Sequence, residues 1–399
     1  MNILLLAPHP FYQERGTPIA VDLLIKTLSQ RGDEIDVLTY GEGEDVTYPQ
    51  VSIRRTPGFV RGFRPGFSFR KVLADIMMAG IATRMASRKH YDIVHAVEES
   101  AFIALILKGF FGLPYVYDMD SSLAQQMVEK MPFLKPVSPI LRRLEGSAVK
   151  RSTAVVAVCQ ALADTARSYD DEKSICLLHD VANAETSPED ITADNLREVT
   201  GAAGPLLLYV GNLEPYQGID LVLESFALSR QETTSRQAEI VIIGGLQKDI
   251  DAYREKCQQL GIGESVHFLG PKPLSQLSAY LRQADILLSP RTKGNNTPMK
   301  IYAYLQSGKP VLATDIWSHT QVLNPSIAQL APPEPAAFAK AIVKLVEDPQ
   351  LRAALGSAGR KCVEENYSYD AYKKNLVGFY RGLEDRIAAK ETLIVGDGK

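Results

Sequence analysis

The sequence has few cysteines, and no two of them form a recognisable metal or redox motif. The four are single and far apart, at Cys159, Cys176, Cys257 and Cys362. Because no C-x-x-C pair exists, zinc sites and thioredoxin-like redox sites are not expected. Isolated thiols are typical of a reducing compartment, where they act as small apolar residues. The cysteine pattern therefore favours a cytoplasmic protein.

Long hydrophobic runs and a strong net charge are also lacking. The apolar run from Ala101 to Leu107 ends at Lys108, well short of the roughly 20 residues that a membrane-spanning helix needs. The opening run Asn2–Ala7 lacks a basic segment before it, so we predict a first buried strand rather than a secretion signal. A formal net charge of -3 gives no general attraction to nucleic acid, which is not a predicted partner.

The sequence does contain a sustained alternation of short apolar runs and amphipathic helical patterns. This alternation favours an α/β fold with parallel sheets covered by helices on both faces. A polar, acidic stretch from Asp180 to Gly204 interrupts it and is interpreted as a connection between domains. We therefore predict an N-terminal Rossmann-like domain over 1–182, a second one over 183–372, and a C-terminal helix and tail over 373–399 that return toward the first domain.

The predicted strands restart after this connection. They are Ile3–Ala7, Ile35–Thr39, Val51–Ile53, Ile93–Ala96, Pro114–Tyr117 and Ala154–Val158 in the first half, and Leu206–Val210, Ile240–Ile243, Val266–Leu269, Ile286–Leu288 and Pro310–Ala313 in the second. Open sheets of this kind bind ligands at the carboxyl ends of their strands. We therefore expect two doubly wound domains that face a central cleft.

Several segments, in this order, resemble the retaining GT-B glycosyltransferases of family 4. They are Arg15 to Pro18, Gln30 to Val37, Tyr91 to Ala96, Leu208 to Gly218, Val266 to Gly270, Ala284 to Ile286 and Gly308 to Thr314. Together they extend over nearly the whole chain. The resemblance implies a GT-B enzyme with an acceptor site on the first domain and a nucleotide-sugar donor site on the second. It also implies retaining transfer of a hexose, with no metal and no cofactor besides the nucleoside-diphosphate sugar as co-substrate.

The donor site departs from the family pattern at four positions. Two glutamates of the family, seven residues apart, fall here on Asn295 and Ala303, and its phosphate-binding arginine and lysine fall on Asn212 and Gln217. A histidine of the acceptor domain falls on Asp120. Because sugar transfer increases the negative charge on the leaving phosphate, other cations are expected to stabilise it.

A basic loop after the predicted strand Ile286–Leu288 could supply those cations. The predicted donor-binding residues are Gly16, Gly211, Asn212, Gly244, Arg291, Lys293, Asn296, Thr297 and Lys300. Asn296 or Thr297 is predicted to cap the following helix and so to leave its free N–H groups for the phosphate. The alternatives are a solvated basic turn for the loop and an ordinary turn glycine for Gly16.

Glu98 and Asp120 follow strands of the first half and are the predicted catalytic residues. Each could act as a base or accept a hydrogen bond from a sugar hydroxyl. The alternatives are solvent exposure at a helix start for Glu98, and helix capping by Asp120 or Ser121. Asp118-Met119-Asp120 also resembles the metal-binding D-x-D motif of the GT-A fold, but two Rossmann-like halves argue against that fold.

The stretch Arg54–Lys71 is unusual in its composition. It combines four phenylalanines with six basic residues and no acidic one: Arg54, Arg55, Arg61, Arg64, Arg70 and Lys71. Basic residues attract anionic headgroups, and aromatic rings insert at the interface. The hypothesis is peripheral binding at the inner face of the membrane and a lipid-linked or glycan acceptor. A mobile acceptor loop with no membrane role is the alternative. Single-stranded nucleic acid is a third interpretation, because interleaved aromatic and basic residues also suit it, but the GT-B resemblance and the acidic net charge argue against it.

Two functions of other kinds stay open at this point. The changed donor positions also suit a non-catalytic GT-B protein that binds a glycan or a partner enzyme. A GT-B sugar-nucleotide epimerase, which needs no acceptor, is a third interpretation.

Overall fold

The protein is described here by a computed structural model over residues 1–13, 16–58, 69–181, 193–232 and 237–396. The chain divides into two compact units. One comprises Met1–His179 with Tyr372–Lys399, and the other comprises Asp180–Ala371. Each unit is built on one parallel sheet. No helix within the described ranges is both long and apolar enough to cross a bilayer.

The first unit contains a seven-stranded sheet. Its strands are β1 (Asn2–Ala7), β2 (Glu34–Thr39), β3 (Val51–Arg55), β4 (Ile93–Val97), β5 (Tyr115–Met119), β6 (Ala154–Ala157) and β7 (Ile175–Leu177). Its helices are α1 (Gly16–Arg31), α2 (Phe69–Ala86), α3 (Ser100–Phe111), α4 (Leu123–Lys130), α5 (Ser138–Arg151) and α6 (Gln160–Tyr169). In the strand order β3-β2-β1-β4-β5-β6-β7, the chain adds strands on one side of β1 up to β3 and on the other side from β4 onward, so the topology switches between β1 and β4. Such a switch point is a usual position for a ligand site.

The second unit contains a six-stranded sheet in the order β10-β9-β8-β11-β12-β13. Its strands are β8 (Leu206–Val210), β9 (Glu239–Ile243), β10 (Val266–Gly270), β11 (Ile286–Ser289), β12 (Val311–Thr314) and β13 (Gln329–Ala331). The remaining helices, in chain order, are α7 (Leu196–Thr200), α8 (Ile219–Ser229), α9 (Gln247–Gln259), α10 (Leu277–Gln283), α11 (Lys300–Gln306), α12 (Trp317–Thr320), α13 (Pro335–Glu347), α14 (Pro349–Asn366) and α15 (Tyr369–Gly396). The central strands are apolar almost throughout, because helices cover both faces of the sheet.

The last helix, α15, begins in the second unit and contributes its residues from Tyr372 onward to the first. Tyr380 is buried, and its hydroxyl lies 2.7 Å from Nδ1 of His95 on β4. Glu384 forms an ion pair with Arg31 of α1 at 2.9 Å. Contacts between residues 285 and 353 positions apart thus join α15 to β4 and α1 of the first unit.

Candidate functional site

The carboxyl ends of β8 and β9 meet at two tightly packed glycines. The N–H of Gly211 donates to the carbonyl of Ile243 at 2.9 Å. A Cβ on Gly244, whose φ is +111°, would lie 2.1 Å from the carbonyl oxygen of Gly211. A Cβ on Gly211 would lie 2.6 Å from Nζ of Lys300. Only glycine fits at either position, and three predicted donor-binding residues lie together here.

Lys300, the first residue of α11, provides a buried cation at this point. Its Nζ atom is buried and has no hydrogen-bond partner in the part of the chain that the structure describes. It lies 4.0 Å from the centroid of the Tyr209 ring. Burial lowers the pKa of Lys300 to about 7, and the nearby charge of Arg291 adds to the effect. A buried cation without a partner is costly unless an anion joins it.

Arg291 shapes the loop between β11 and α11. Its Nε donates to the carbonyl of Lys293 at 2.7 Å, and its Nη1 donates to the carbonyl of Asn296 at 2.8 Å. Its guanidinium carbon lies 5.3 Å from the centroid of the Tyr216 ring. Gly294 packs so closely that a Cβ there would lie 2.1 Å from the guanidinium. Arg291 therefore holds the loop as well as carrying charge.

The prediction that Asn296 or Thr297 caps the next helix is wrong. Helix α11 begins at Lys300, and its N-cap residue is Met299, which makes no side-chain cap hydrogen bond. The chain enters the helix through tight turns, since the N–H of Ile301 bonds to the carbonyl of Pro298 at 2.9 Å. The hydroxyl of Thr297 is nevertheless buried and has no hydrogen-bond partner among the residues described.

Two further predicted donor residues lie near this loop with different surroundings. The side chain of Lys293 is exposed to solvent. Asn212 forms the turn after β8, because its carbonyl accepts from the Tyr209 hydroxyl at 2.7 Å and its Oδ1 accepts from the N–H of Glu214 at 3.4 Å.

His319, on α12, joins β11 and β12 below the loop. Its ring is buried, with Nε2 2.9 Å from Oγ of Ser289 and Nδ1 2.9 Å from the carbonyl of Thr314. Because a carbonyl only accepts, Nδ1 is the protonated nitrogen of a neutral ring. Burial lowers the pKa of His319 to about 4, and the charges of Arg291 and Lys300 also lower it. His319 therefore supports the loop as a neutral group.

In the first unit, Glu98 occupies the turn after β4 at the sheet's switch point. It has a φ of +47°, which is uncommon for a residue other than glycine. Its N–H donates to the carbonyl of Asp118 at 2.9 Å, and its carboxylate accepts from Ser121 at 3.4 Å. Burial raises the pKa of Glu98 to about 7, and the charge of Glu99 raises it further. A carboxyl group that titrates near neutrality suits proton transfer.

A second carboxyl group with a raised pKa interacts with Glu99, the neighbour of Glu98 in the chain, and the sequence does not indicate it. Asp75 on α2 accepts a hydrogen bond from the Tyr40 hydroxyl at 2.6 Å, and burial raises its pKa to about 7. Lys71 and Glu99 form an ion pair at 3.2 Å in the same region. Asp75 fits an ordinary helical pattern, and nothing in its neighbouring residues points to burial.

The structure also places Asp120, Asp118 and Gly16. Asp120 follows β5 and is partly buried. Neither Asp120 nor Ser121 caps α4; Ser122 does, accepting from the N–H of Gln125 at 3.3 Å. Asp118 lies 2.9 Å from Nε2 of His95. Within the described residues, no cluster of three or more His, Cys, Asp or Glu could hold a metal ion.

Gly16 is exposed at the start of α1. Its φ is +26°, and a Cβ built there would have no atom of the protein within 4 Å. The packing of the described residues therefore does not explain why a glycine stands there. The prediction that it contacts the donor stays untested.

Two family models match the chain one after the other. The model of Glycosyltransferase Family 4 matches residues 15–180, and that of Glycosyl transferases group 1 matches residues 193–362. Among curated relatives, D-inositol 3-phosphate glycosyltransferase of Corynebacterium diphtheriae is 22% identical over 92% of this chain and 89% of its own. Human alpha-1,3/1,6-mannosyltransferase ALG2 is 27% identical over 45% of each chain.

Solved structures of glycosyltransferases share the fold over almost their full length. Sucrose-phosphate synthase of Thermosynechococcus elongatus superposes with a TM-score of 0.78 at 18% identity, covering 96% of this chain and 99% of its own. Anabaena HepE in complex with UDP-glucose superposes with a TM-score of 0.71 at 18% identity, covering 96% and 100%. The predicted GT-B fold is thereby confirmed. Since the two family models together span most of both units, the chain belongs to the family 4, group 1 glycosyltransferases.

Proposed function

We propose that the protein is a retaining hexosyltransferase whose nucleoside-diphosphate sugar binds in the second unit without a metal. The observation that carries this proposal is the buried ammonium group of Lys300, which has no hydrogen-bond partner among the described residues. It lies beside Gly211 at the carboxyl end of β8. A diphosphate would supply the missing partner and offset the desolvation of the cation. The complex of HepE with UDP-glucose, which has the same fold, supports such a donor.

In this proposal, Lys300 faces the diphosphate and stabilises the negative charge that grows as the sugar departs. The glycines have a different role. The N–H groups of Gly211 and Gly244 already donate to the carbonyls of Ile243 and Gly270. These glycines therefore serve by letting the phosphates approach the backbone closely rather than by donating hydrogen bonds.

The rest of the loop would complete the donor site. The Thr297 hydroxyl and the Asn296 side chain are proposed to bind donor oxygens, with Lys293 at the solvent side. Arg291 would add positive charge while holding the loop. These cations would replace the arginine and lysine that the family carries at positions 212 and 217.

The acceptor is proposed to bind in the first unit, close to Glu98 and Asp120. Glu98 would act as a base or accept a hydrogen bond from the attacking hydroxyl. We propose a lipid-linked or glycan acceptor. One curated relative is named for glycosyl transfer with D-inositol 3-phosphate and another for mannosyl transfer, which supports transfer of a sugar.

A donor screen tests this proposal. UDP-, GDP-, ADP- and dTDP-sugars would be added with and without EDTA, and thermal stability and slow donor hydrolysis would be recorded. One donor should raise the melting temperature by mass action, and EDTA should not remove the effect. The anomeric configuration of the transferred sugar, read by NMR, should match that of the donor.

Matched variants make the screen specific. Lys300→Met should abolish the shift, whereas Lys340→Met, at an exposed position of α13, should retain it. Absence of any shift with all four donors would refute the donor site. Binding without hydrolysis or transfer would favour a non-catalytic GT-B protein. Product formed without acceptor would favour an epimerase.

A further inference from the structure

Exposed apolar side chains are concentrated on one part of the first unit. Of the 14 large apolar side chains that are exposed among the described residues, 10 lie on α2, α3 and residues 132–144. Phe110 is 79% exposed, Phe133 75% and Ile76 64%. Helix α3 packs against α2 and against α5, so these segments are neighbours. We call their exposed side chains the apolar face.

Helix α3 lacks the polar outer side that a surface helix normally has. Its exposed residues are Ile106, Gly109, Phe110 and Phe111. Its one charged residue, Lys108, donates to the carbonyl of Arg151 at 2.6 Å and lies 5.9 Å from the centroid of the Tyr115 ring. The helix therefore presents hydrocarbon outward and turns its charge back onto the unit.

Residues 132–144 add four exposed apolar side chains to this face. Phe133 and Val137 belong to a 3₁₀ helix, Pro132–Val137, that leads into α5. Ile140 and Leu144, four residues apart on α5, lie on one side of that helix. No acidic residue occurs between 131 and 144, whereas three basic ones do. The segment therefore exposes apolar side chains with only positive charge among them.

The charge around the apolar face has a single sign. On α2, α3 and residues 132–151, every described side chain that is both charged and exposed is basic, and Lys135, Arg142 and Arg143 alternate along the chain with the exposed apolar residues. The acidic groups here are held inside the unit. Asp75 accepts from Tyr40, and Glu145 is buried and accepts from Ser122 and Tyr169.

We propose that the apolar face docks the first unit on an anionic lipid bilayer. Its aromatic and aliphatic side chains would enter the boundary between headgroups and acyl chains, while the basic side chains remain at the headgroups. A bilayer matches both features, since it offers an extended apolar layer bordered by negative charge. This surface overlaps with Arg54–Lys71 only at the first residues of α2. There, residues 59–68 lie outside the described ranges, Arg55 pairs with Asp45, and Lys71 pairs with Glu99.

Sedimentation of the full chain with vesicles tests the inference. Vesicles of phosphatidylcholine alone would be compared with vesicles that contain about 40% phosphatidylglycerol, whose negative charge attracts basic side chains. The protein should bind the anionic vesicles at least about tenfold more strongly. Salt at about 0.5 M should reduce that binding, because it screens the headgroup charge.

Three variants separate the contributions of the face. The triple variant Phe110→Ser, Phe133→Ser and Ile140→Ser removes apolar area, and Arg142→Glu with Arg143→Glu reverses charge. Each should lower the partition coefficient at least about tenfold. Val199→Ser with Leu246→Ser is the matched control, because these residues are 51% and 64% exposed on the second unit. It should bind like the wild type.

Membrane binding does not depend on the proposed reaction, so a protein that fails to bind vesicles could still bind the donor. Circular dichroism should be unchanged in all variants, which shows that they fold. Failure of the wild type to bind anionic vesicles would overturn the inference, and so would unchanged binding by the triple variant. A wild-type dimer that ignores vesicles and dissociates in the triple variant would show instead that a second copy covers the face.

Discussion

The Nζ atom of Lys300 lies 4.0 Å from the centroid of the Tyr209 ring and finds no hydrogen-bond acceptor within the described ranges. The face of an aromatic ring attracts a cation, but it does not replace the water that a buried ammonium group has lost. Burial accordingly lowers the pKa of Lys300 to about 7. A cation kept in this state should reduce the stability of the protein and favour the binding of an anion.

Replacing Lys300 should therefore stabilise the protein while it removes donor binding. The folded-state pKa of about 7 is below the ordinary lysine pKa of 10.5, so the unfolded chain binds the proton more tightly. The free-energy cost of burying the charged ammonium group is fully present below pH 7 and decreases as the pH rises toward 10.5. Lys300→Met should raise the free energy of unfolding by about 1–3 kcal/mol at pH 7, and by less at pH 9.5.

Denaturant unfolding at the two pH values would measure this difference. Lys340→Met, at an exposed position on α13, should change stability little at either pH. A Lys300→Met protein that is less stable than the wild type at pH 7 would show that the ammonium group is satisfied in the folded protein.

The affinity for the donor should also depend on pH through Lys300. A diphosphate favours the charged ammonium, which the free protein holds only in part at pH 7. Above pH 7, binding must take up a proton, so affinity should fall with rising pH by up to about tenfold per unit. The phosphates of a nucleoside-diphosphate sugar stay ionised from pH 6 to 9. Titration calorimetry over this range, in buffers of different ionisation enthalpy, would detect the proton uptake. The Lys300→Arg variant should take up no proton on binding, because arginine is already charged.

The sequence predicts the sheets well, because buried parallel strands are continuous apolar runs. Leu206–Val210 is such a run, and the structure confirms it as β8 with the same bounds. The strands β7 (Ile175–Leu177) and β13 (Gln329–Ala331) are not among the predicted strands. Both have three residues, lie at the ends of their sheets and are partly exposed. The apolar run at β7 is short, and Gln329 interrupts the apolar residues around β13.

The candidate site is only partly readable from the sequence. Asn212 and Gln217 indicate that the cations must lie elsewhere, and the position of the loop after β11 points to Lys300. The burial of its ammonium under Tyr209 joins residues about ninety positions apart, and no local pattern records that contact. The raised pKa of Glu98 likewise depends on burial, on the charge of its chain neighbour Glu99, and on the charge of Asp118, which the adjoining strand β5 brings near it.

Gly244 and Gly270 offer a test of close packing beneath the donor. Both have positive φ, at +111° and +67°. A Cβ on Gly244 would lie 2.1 Å from the Gly211 carbonyl oxygen, whereas one on Gly270 would have no neighbour within 4 Å. Gly270→Ala should cost about 1 kcal/mol of stability from backbone strain and keep donor binding. Gly244→Ala should cost at least about 3 kcal/mol and abolish donor binding. Equal losses in unfolding and binding for the two variants would contradict the close approach.

His319 should make the second unit sensitive to acid. Its folded-state pKa of about 4 is below the ordinary histidine pKa of 6.5, so the unfolded chain binds the proton more tightly. Stability should fall as the pH drops from 6.5 to 4, by about 2–3 kcal/mol from this residue. His319→Gln should remove that part of the slope, whereas His90→Gln, whose ring is 79% exposed, should not. Parallel pH profiles for His319→Gln and the wild type would show that His319 is not held neutral.

Glu98 should control the pH dependence of transfer. As a base it must be ionised, and its pKa is raised to about 7. The rate should therefore increase with pH up to a plateau above 7. Glu98→Gln should lower kcat by a factor of about 10²–10⁴ and remove this rise of the rate with pH, because an amide cannot accept the proton. Donor binding should stay unchanged.

The matched control for Glu98 is its neighbour. The carboxylate of Glu99 contributes to the raised pKa of Glu98 by charge repulsion. Glu99→Gln should therefore shift the rise of the rate to lower pH while it leaves the plateau rate largely intact. A kcat loss of less than about tenfold in Glu98→Gln, with the rise of the rate unmoved in both variants, would mean that Glu98 binds the acceptor hydroxyl without taking its proton. Rates would be measured with saturating donor and acceptor, so that binding effects do not enter kcat.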